Sequence, residues 1–323
     1  MALTFSVPDT ELSLTLENRR SEIVDNIFEK AVFLGMLKNH GGIRMTDGGK
    51  TLVTPLRMSK NTTAGSFTDY DILDTTPQDN ETSCQYDWAG EYATVSISWM
   101  EEKRNSGRHA LLSLLGTKID DARDSIRDKL NVHLMQAQPA AGSKDPNSIT
   151  ELIDEVPTDN PARGSIGGIT VASSANTWWR NKATAGGAFT VADMNTMWND
   201  CSQASDMPKF LLTSQTVFEY YENSQVGQIR YQNTRTANAS FDNLVFKTAP
   251  VVWDPQIGNT DEIYFINTDF LKLCIHTEGD FVTTPFIEPD NQAAKVAKIL
   301  WMGQLEVTNR RRVGTLHGIT APA

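Results

Sequence analysis

Between Leu111 and Leu134 apolar residues recur every third or fourth position: Leu111, Leu115, Ile119, Ala122, Ile126, Leu130 and Leu134. That is the period of one helix face. No proline interrupts the stretch, and Gly116 is its only weak helix former after Gly107, so one helix is predicted over residues 107–136. At 1.5 Å per residue it would be ~45 Å long, against about three turns for an average globular helix.

Ahead of this helix the period changes. Ile23, Ile27, Ala31 and Leu34 keep helical spacing in a short N-terminal segment. From residue 41 onward the pattern turns to strands: "KTLVTPLRMSKN", "SFTDYDIL", and "EYATVSISWME", which alternates with Ala93, Val95, Ile97 and Trp99 on one face. The stretch 58–83 is polar, with Phe67, Tyr70, Ile72 and Leu73 as its few large apolar residues. Such an excursion cannot build its own core and is expected to be pinned by something outside itself.

Behind the helix, "AQPAAGSKDPNS" marks a boundary, and mixed α/β patterning follows. Thr190 is a candidate N-cap for a helix with Val191, Met194, Trp198 and Cys201 on one side. "PKFLLTS" predicts a buried strand, "SQTVFEYYENS" a short helix, and "LVFKTAPVVWDP" and "EIYFINTDFLKLCIH" further strands. At the C-terminus Ala297, Ile299, Trp301, Leu305 and Val307 share one face of an alternating segment, and "NRRR" is expected to turn into a last strand.

Composition narrows the function classes. With 323 residues, 39% hydrophobic and 21% charged, the chain is long enough for two domains or one large one, and is neither disordered nor fibrous. Its net charge of −11 argues against gripping nucleic acid, which needs clustered Lys and Arg. Cys84, Cys201 and Cys274 are far apart with no C-x-x-C, which suggests neither a disulfide framework nor a zinc knuckle and fits a reducing compartment. The opening residues, without a basic stretch followed by an apolar run, do not predict a secretory signal, and no apolar run approaches a membrane span.

The motifs that carry chemistry are few. Asp120, Asp121 and Asp124 form D-D-x-x-D, a spacing that can hold a divalent cation on one helix face. Lys118, Arg123, Arg127 and Lys129 lie among them, and Asp120–Arg123 and Asp124–Arg127 are i,i+3 pairs, the pattern of a solvated face. "DGGKT" (47–51) resembles the end of a phosphate loop, but Arg44 stands where that motif needs glycine. "GSIGG" (164–168) lacks the spacing of a nucleophile elbow. His40, His109, His133, His276 and His317 show no metal-binding pairing. Arg310, Arg311 and Arg312 are expected to make ion pairs between subunits. The tryptophans of "TWWRN" are expected to be buried at a contact rather than to form a stacking platform. No catalytic, cofactor-binding or metal residues emerge.

The order of parts is more telling: arm, polar β excursion, long helix, α/β region, returning β segment. "GGITVASSANTWWRN", "LVFKTAPVVWDP" with "IYFINTDFLKL", and "AAKVAKILWMGQLEVTNRRRVGTLHGI" follow in sequence. Together they resemble the major capsid proteins of tailed double-stranded-DNA bacteriophages, with an α+β, Hong Kong 97-like fold. The resemblance implies an N-terminal arm (1–40), an extended loop with flanking strands (41–104), the spine helix of a peripheral domain (105–138), an axial domain (139–286) and a C-terminal β segment returning to the peripheral domain (287–323). It implies a structural, non-enzymatic protein that self-assembles through hexamers and pentamers into an icosahedral shell around packaged DNA, without sequence-specific binding. The expected location is the virion, after assembly in the host bacterial cytoplasm and away from membranes. Portal and decoration proteins are implied partners. The short arm, in place of an internal scaffolding region, implies either a mature, cleaved chain or, as the initiating Met1 favours, a separate scaffolding protein. No residue maps to a covalent cross-link. The alternatives are a cytosolic metal-dependent enzyme using Asp120, Asp121 and Asp124, and a cargo-enclosing nanocompartment shell of the same fold.

Overall fold

The computed structural model describes residues 31–104, 114–137, 139–140, 142–159, 163–225, 244–258 and 260–322. The first half contains α1 (Val32–Asn39), β1 (Ile43–Thr46), β2 (Thr51–Arg57), β3 (Glu81–Asp87), β4 (Ala89–Ser98), the short α2 (Trp99–Arg104) and the long α3 (Leu114–Met135). The second half contains α4 (Ile149–Leu152), β5 (Lys182–Ala188), α5 (Val191–Cys201), β6 (Phe210–Thr213), α6 (Gln215–Gln225), β7 (Leu244–Phe246), β8 (Ala249–Trp253), β9 (Ile263–Ile266), β10 (Leu271–His276), β11 (Val282–Thr283), β12 (Ala294–Val307) and β13 (Gly314–Thr320).

One sheet runs β1-β10-β12-β11, with β4 also on β12. At 14 residues, β12 is long enough to pair antiparallel with β4 along Ala294–Gly303 and with β10 from Gly303 to Val307. Its alternation sets the inward face. Ala297, Ile299, Trp301, Leu305 and Val307 are all buried, as their spacing predicts. Helix α3 lays Ala122, Ile126, Leu130 and Leu134 into the same cluster, opposite Val95 of β4. Each large side chain removed from water there contributes about 1.5–3 kcal/mol.

The second sheet runs β5-β13-β9-β6-β8-β7. It is covered on both faces, which is why "FLLT" and "IYFI" are buried at every position and do not alternate. Leu211, Val251, Ile263 and Phe265 face the cluster of α5 and α6, whereas Phe210, Leu212, Val252, Tyr264 and Ile266 face the cluster of α3 and α1. Thr190 caps α5 as expected, its hydroxyl accepting from the Asp193 backbone N–H.

Several expectations need correction. "SFTDYDIL" is not a strand; the partner of β2 is β3, registered from Thr51↔Asp87 to Arg57↔Glu81. A β-prone segment with no neighbour has nothing to satisfy its ladder. Trp99 ends the alternation at 56% exposure because the chain turns into α2 there. In α1 the buried pair is Phe33 and Leu37, one residue off the Ala31/Leu34 face read from the sequence. Of the predicted long helix, residues 114–135 are helical and 107–113 lie outside the described residues, as do Ile23 and Ile27. β10 and β12 lie in the first sheet and β13 in the second.

Candidate assembly surfaces and the polar junction beneath them

β2 and β3 form an isolated two-stranded ladder. Its inner face, Leu52, Cys84 and Tyr86, is buried, and the Tyr86 hydroxyl donates to the Val307 carbonyl at 2.9 Å, tying the ladder to β12. Between the two strands the chain runs outward. Tyr70 and Ile72 are each 99% exposed, and Phe67 and Leu73 are 67% and 60% exposed. Tyr70 and Ile72 are the two most exposed large apolar side chains among the described residues. The loop is shaped by its own short bonds: Thr68 N–H to Asp71, Thr76 N–H to Asp74, and the Thr62 hydroxyl to Gln78. Hydrogen bonds from the Thr76 side chain and backbone hold the Asp74 carboxyl below its usual range.

A tight turn seats the ladder. Ile166 and Ile169 exchange backbone bonds of 3.1 Å around Gly167 and Gly168, whose φ values are +58° and +76°. Two successive positive φ angles are the two-residue hairpin geometry that glycine permits. Gly167 accepts from Gln85 N–H at 2.9 Å, and a Cβ there would lie 3.0 Å from Cys84 Cβ and the Tyr86 ring. "GSIGG" is thus a docking turn.

Beneath the turn sits a buried polar junction. Arg310, fully buried, donates to the carbonyls of Leu152 (3.0 Å) and Trp179 (3.1 Å) and to Asn181 Oδ1 (2.7 Å). Asn181 in turn donates to the Asp154 carbonyl at 2.6 Å, and Trp179 Nε1 to the Ile166 carbonyl at 3.0 Å. Burial pulls the Arg310 pKa down to about 10, against opposing pulls from Tyr86, Asp154 and Glu151. The expectation that the three arginines pair between subunits therefore fails for Arg310, which is consumed inside its own chain. "TWWRN" is a core element too, with Trp179 buried and Arg180 bonded to the carbonyls of Val171, Ala172 and Ser173.

A second junction ties α3 to the end of β8. The fully buried Asp254 accepts from Phe33 N–H (3.2 Å), Asn131 Nδ2 (3.1 Å) and Gln256 N–H (3.0 Å). It links α1, the long helix and the Trp-Asp-Pro corner.

The remaining candidates fall into place. Asp120 and Asp121 are exposed on α3, and Asp124 pairs with Arg127 at 2.9 Å; among the described residues, the Asp120–Arg123 pair does not form. Gly48 and Gly49 of "DGGKT" form an exposed turn between β1 and β2, and Arg44 pairs with the buried Glu306 at 2.9 Å. The three thiols are buried and free. Burial lifts Cys84 to about 11 and Cys201 to about 12, and pushes Cys274 up further, so none is a ready nucleophile. His40 stacks on Phe210, and burial lowers its pKa. His276 meets the edge of Trp88, and His317 lies 3.6 Å from Glu155; His109 is outside the described residues.

The sequence reading missed one grouping. Glu91 of β4, His133 of α3 and Asp145 of the following connector bring their ligand atoms within 4.8 Å of one another. The signal in the sequence was Glu91 itself, a carboxylate at an inward position of an otherwise apolar alternating strand. Among the described residues, no helix is long and apolar enough to cross a membrane.

The chain thus combines two sheets, one long helix packed beside them, and a two-stranded arm whose polar loop carries four exposed large apolar side chains. The sequence profile of the SU10 major capsid protein matches residues 92–320, and the chain belongs to that family, whose members are structural subunits of phage capsids. No curated protein matches the chain by sequence. Solved structures share the fold. The capsid subunit of cyanophage A-1(L) superposes with a TM-score of 0.70 at 16% identity, covering 94% of this chain and 97% of that one. The capsid of a native GTA particle gives 0.64 at 8% identity, covering 93% and 94%. The holo-SrpI encapsulin complex from Synechococcus elongatus PCC 7942 gives 0.61 at 10% identity, covering 99% and 96%.

Proposed function

We propose that this major capsid protein closes an icosahedral shell of hexamers and pentamers around packaged double-stranded DNA, using the 58–80 loop as a strap across the neighbouring subunit. The exposure of Tyr70, Ile72, Phe67 and Leu73 carries this reading. A loop built of turn-forming Thr, Asp and Asn has no reason to hold four large apolar side chains in water unless another copy covers them. In this assignment the first sheet and α3 form the peripheral domain, with α3 as its spine. The second sheet, with α5 and α6, forms the axial domain. In the same assignment β12 returns the C-terminal segment to the sheet of the peripheral domain, and β13 goes on to pair in the second sheet.

The role is structural and not enzymatic. Nucleic acid is contained, not gripped: a net charge of −11 leaves packaged DNA mobile by repulsion. Assembly takes place in the host bacterial cytoplasm with a separate scaffolding protein, and portal and decoration proteins complete the virion.

Electron microscopy of the expressed full chain, alone and with loop residues 60–78 replaced by a short Gly-Ser linker, tests this. The full chain is expected to form closed particles and the shortened chain folded subunits that do not close. Particles that form equally well without the loop would remove the strap. Particles that carry a co-purified enzyme cargo instead of DNA during infection would favour a nanocompartment.

A further inference from the structure

The geometry points to a divalent transition-metal site of the zinc type formed by Glu91, His133 and Asp145, stapling the end of the long helix to β4 and to the connector that follows it. The three ligand atoms lie within 4.8 Å of one another and come from three separate segments. His133 Nδ1 is 2.5 Å from Glu91 Oε1. Glu91 is 8% exposed and the His133 side chain 14%.

Charge is the first reason to expect a cation. Glu91 occupies an inward position of β4, flanked by Ala89, Ala93 and Val95 on the same face, where an uncompensated carboxylate is costly. Asp145 brings a second carboxylate to the same single imidazole. The Arg163 guanidinium, which reaches the Asp145 backbone, is engaged elsewhere. Arg163 donates to the Asp145 backbone carbonyl (2.9 Å) and to Asn147 Oδ1 (2.6 Å), and its ion pair at 3.7 Å is with Glu151.

Ligand chemistry is the second reason. One imidazole nitrogen and two carboxylate oxygens suit zinc and its neighbours better than magnesium or calcium, which take oxygen alone. At zinc–ligand distances of about 2.0–2.2 Å, ligand atoms sit roughly 3.3 Å apart. Side-chain rotation closes the 4.8 Å spread and opens the 2.5 Å contact to that separation. A bound cation would be held by His133 Nδ1 and one oxygen from each carboxylate, with water free to complete the coordination. Asp145 is already oriented, its Oδ2 accepting from the Ser143 hydroxyl at 2.6 Å. Such outer hydrogen bonds fix a ligating carboxylate.

The test uses the untagged full chain, purified without chelators, incubated with Zn2+ and dialysed, with metal counted by mass spectrometry. One zinc per subunit is expected, with a higher melting temperature than the chelator-treated protein. Replacement by Co2+ should give visible d–d absorption bands. Asp145→Asn keeps the Glu91–His133 contact and hence the fold, but should weaken zinc binding by at least about a hundredfold and abolish the cobalt bands. His133→Gln should do the same. A dialysed wild-type protein free of zinc, or equal zinc in wild type and Asp145→Asn, would overturn the assignment, and neither result depends on whether shells form.

Discussion

Arg310 and Asn181 hold one another out of solvent. The guanidinium donates to Asn181 Oδ1 at 2.7 Å, and the two residues are 0% and 4% exposed. The arginine comes from the turn between β12 and β13, and the asparagine from the end of the Trp-Trp-Arg-Asn segment. One side chain therefore fastens the crossing between the two sheets to the chain entering β5.

Removing that fork leaves acceptors stranded. Arg310→Met keeps much of the volume but orphans the Leu152 and Trp179 carbonyls and Asn181 Oδ1. At about 1–3 kcal/mol for each buried group left unsatisfied, the loss should be about 3 kcal/mol or more. Urea titration of the soluble subunit reads it. A midpoint within experimental error of wild type would show that the junction contributes little.

Acid should at first stabilise the subunit around this junction. Burial raises the pKa of Glu151 from 4.5, outweighing the Arg163 and Arg310 charges, and burial likewise raises Asp154 from 3.8. Both carboxyls bind their proton more tightly folded than unfolded. Their contribution to stability therefore rises as pH falls from neutrality through their folded values, and levels off below the unfolded ones. Glu151→Gln should flatten the Glu151 part of this rise, between neutrality and about pH 4.5. Melting temperatures of both proteins across that range decide it; parallel profiles would mean Glu151 is solvated.

Two adjacent residues of β12 should respond oppositely to the same change. Trp301 is 2% exposed and faces α3, whereas Leu300 is 42% exposed on the other side. Trp301→Asp would bury an unpaired charge, cost several kcal/mol and yield insoluble protein. Leu300→Asp should stay soluble and change stability by under about 1 kcal/mol. Soluble yield and circular dichroism compare them. Equal tolerance would mean the strand's faces are reversed.

Protease sensitivity should follow assembly. In free subunits a broad protease is expected to cut first within 58–80, where ordering each residue costs about 1–2 kcal/mol with no core to offset it. Closed particles should protect the same bonds. Mass spectrometry of timed digests locates the cuts, and equal resistance in both forms would mean the loop packs within its own chain.

Local order was legible along the chain because periodicity is a local property. The alternation of Val95 and Ile97, the inward face from Ala297 to Val307, and the helical stripe Ala122, Ile126, Leu130 and Leu134 each follow from which neighbours share a side of the backbone. The Thr190 cap was readable for the same reason. Family-like segments in family order added the architecture.

Pairing was not legible, because it depends on which distant segments meet. "SFTDYDIL" has strand composition but no partner among the described residues, while the more polar "ETSCQYD" forms the ladder with β2. β10 and β12 share a sheet, yet β13, six residues beyond β12, belongs to the other.

Charged residues divided in the same way. Sequence placed Asp124 and Arg127 on a solvated helix face, since an i,i+3 pair is fixed by helix geometry alone. It could not place Arg310 in the core or bring Glu91 to His133, 42 residues away. Burial of a charge is decided by the partners that tertiary structure brings to it, and those partners come from segments whose order along the chain does not record their distance in space.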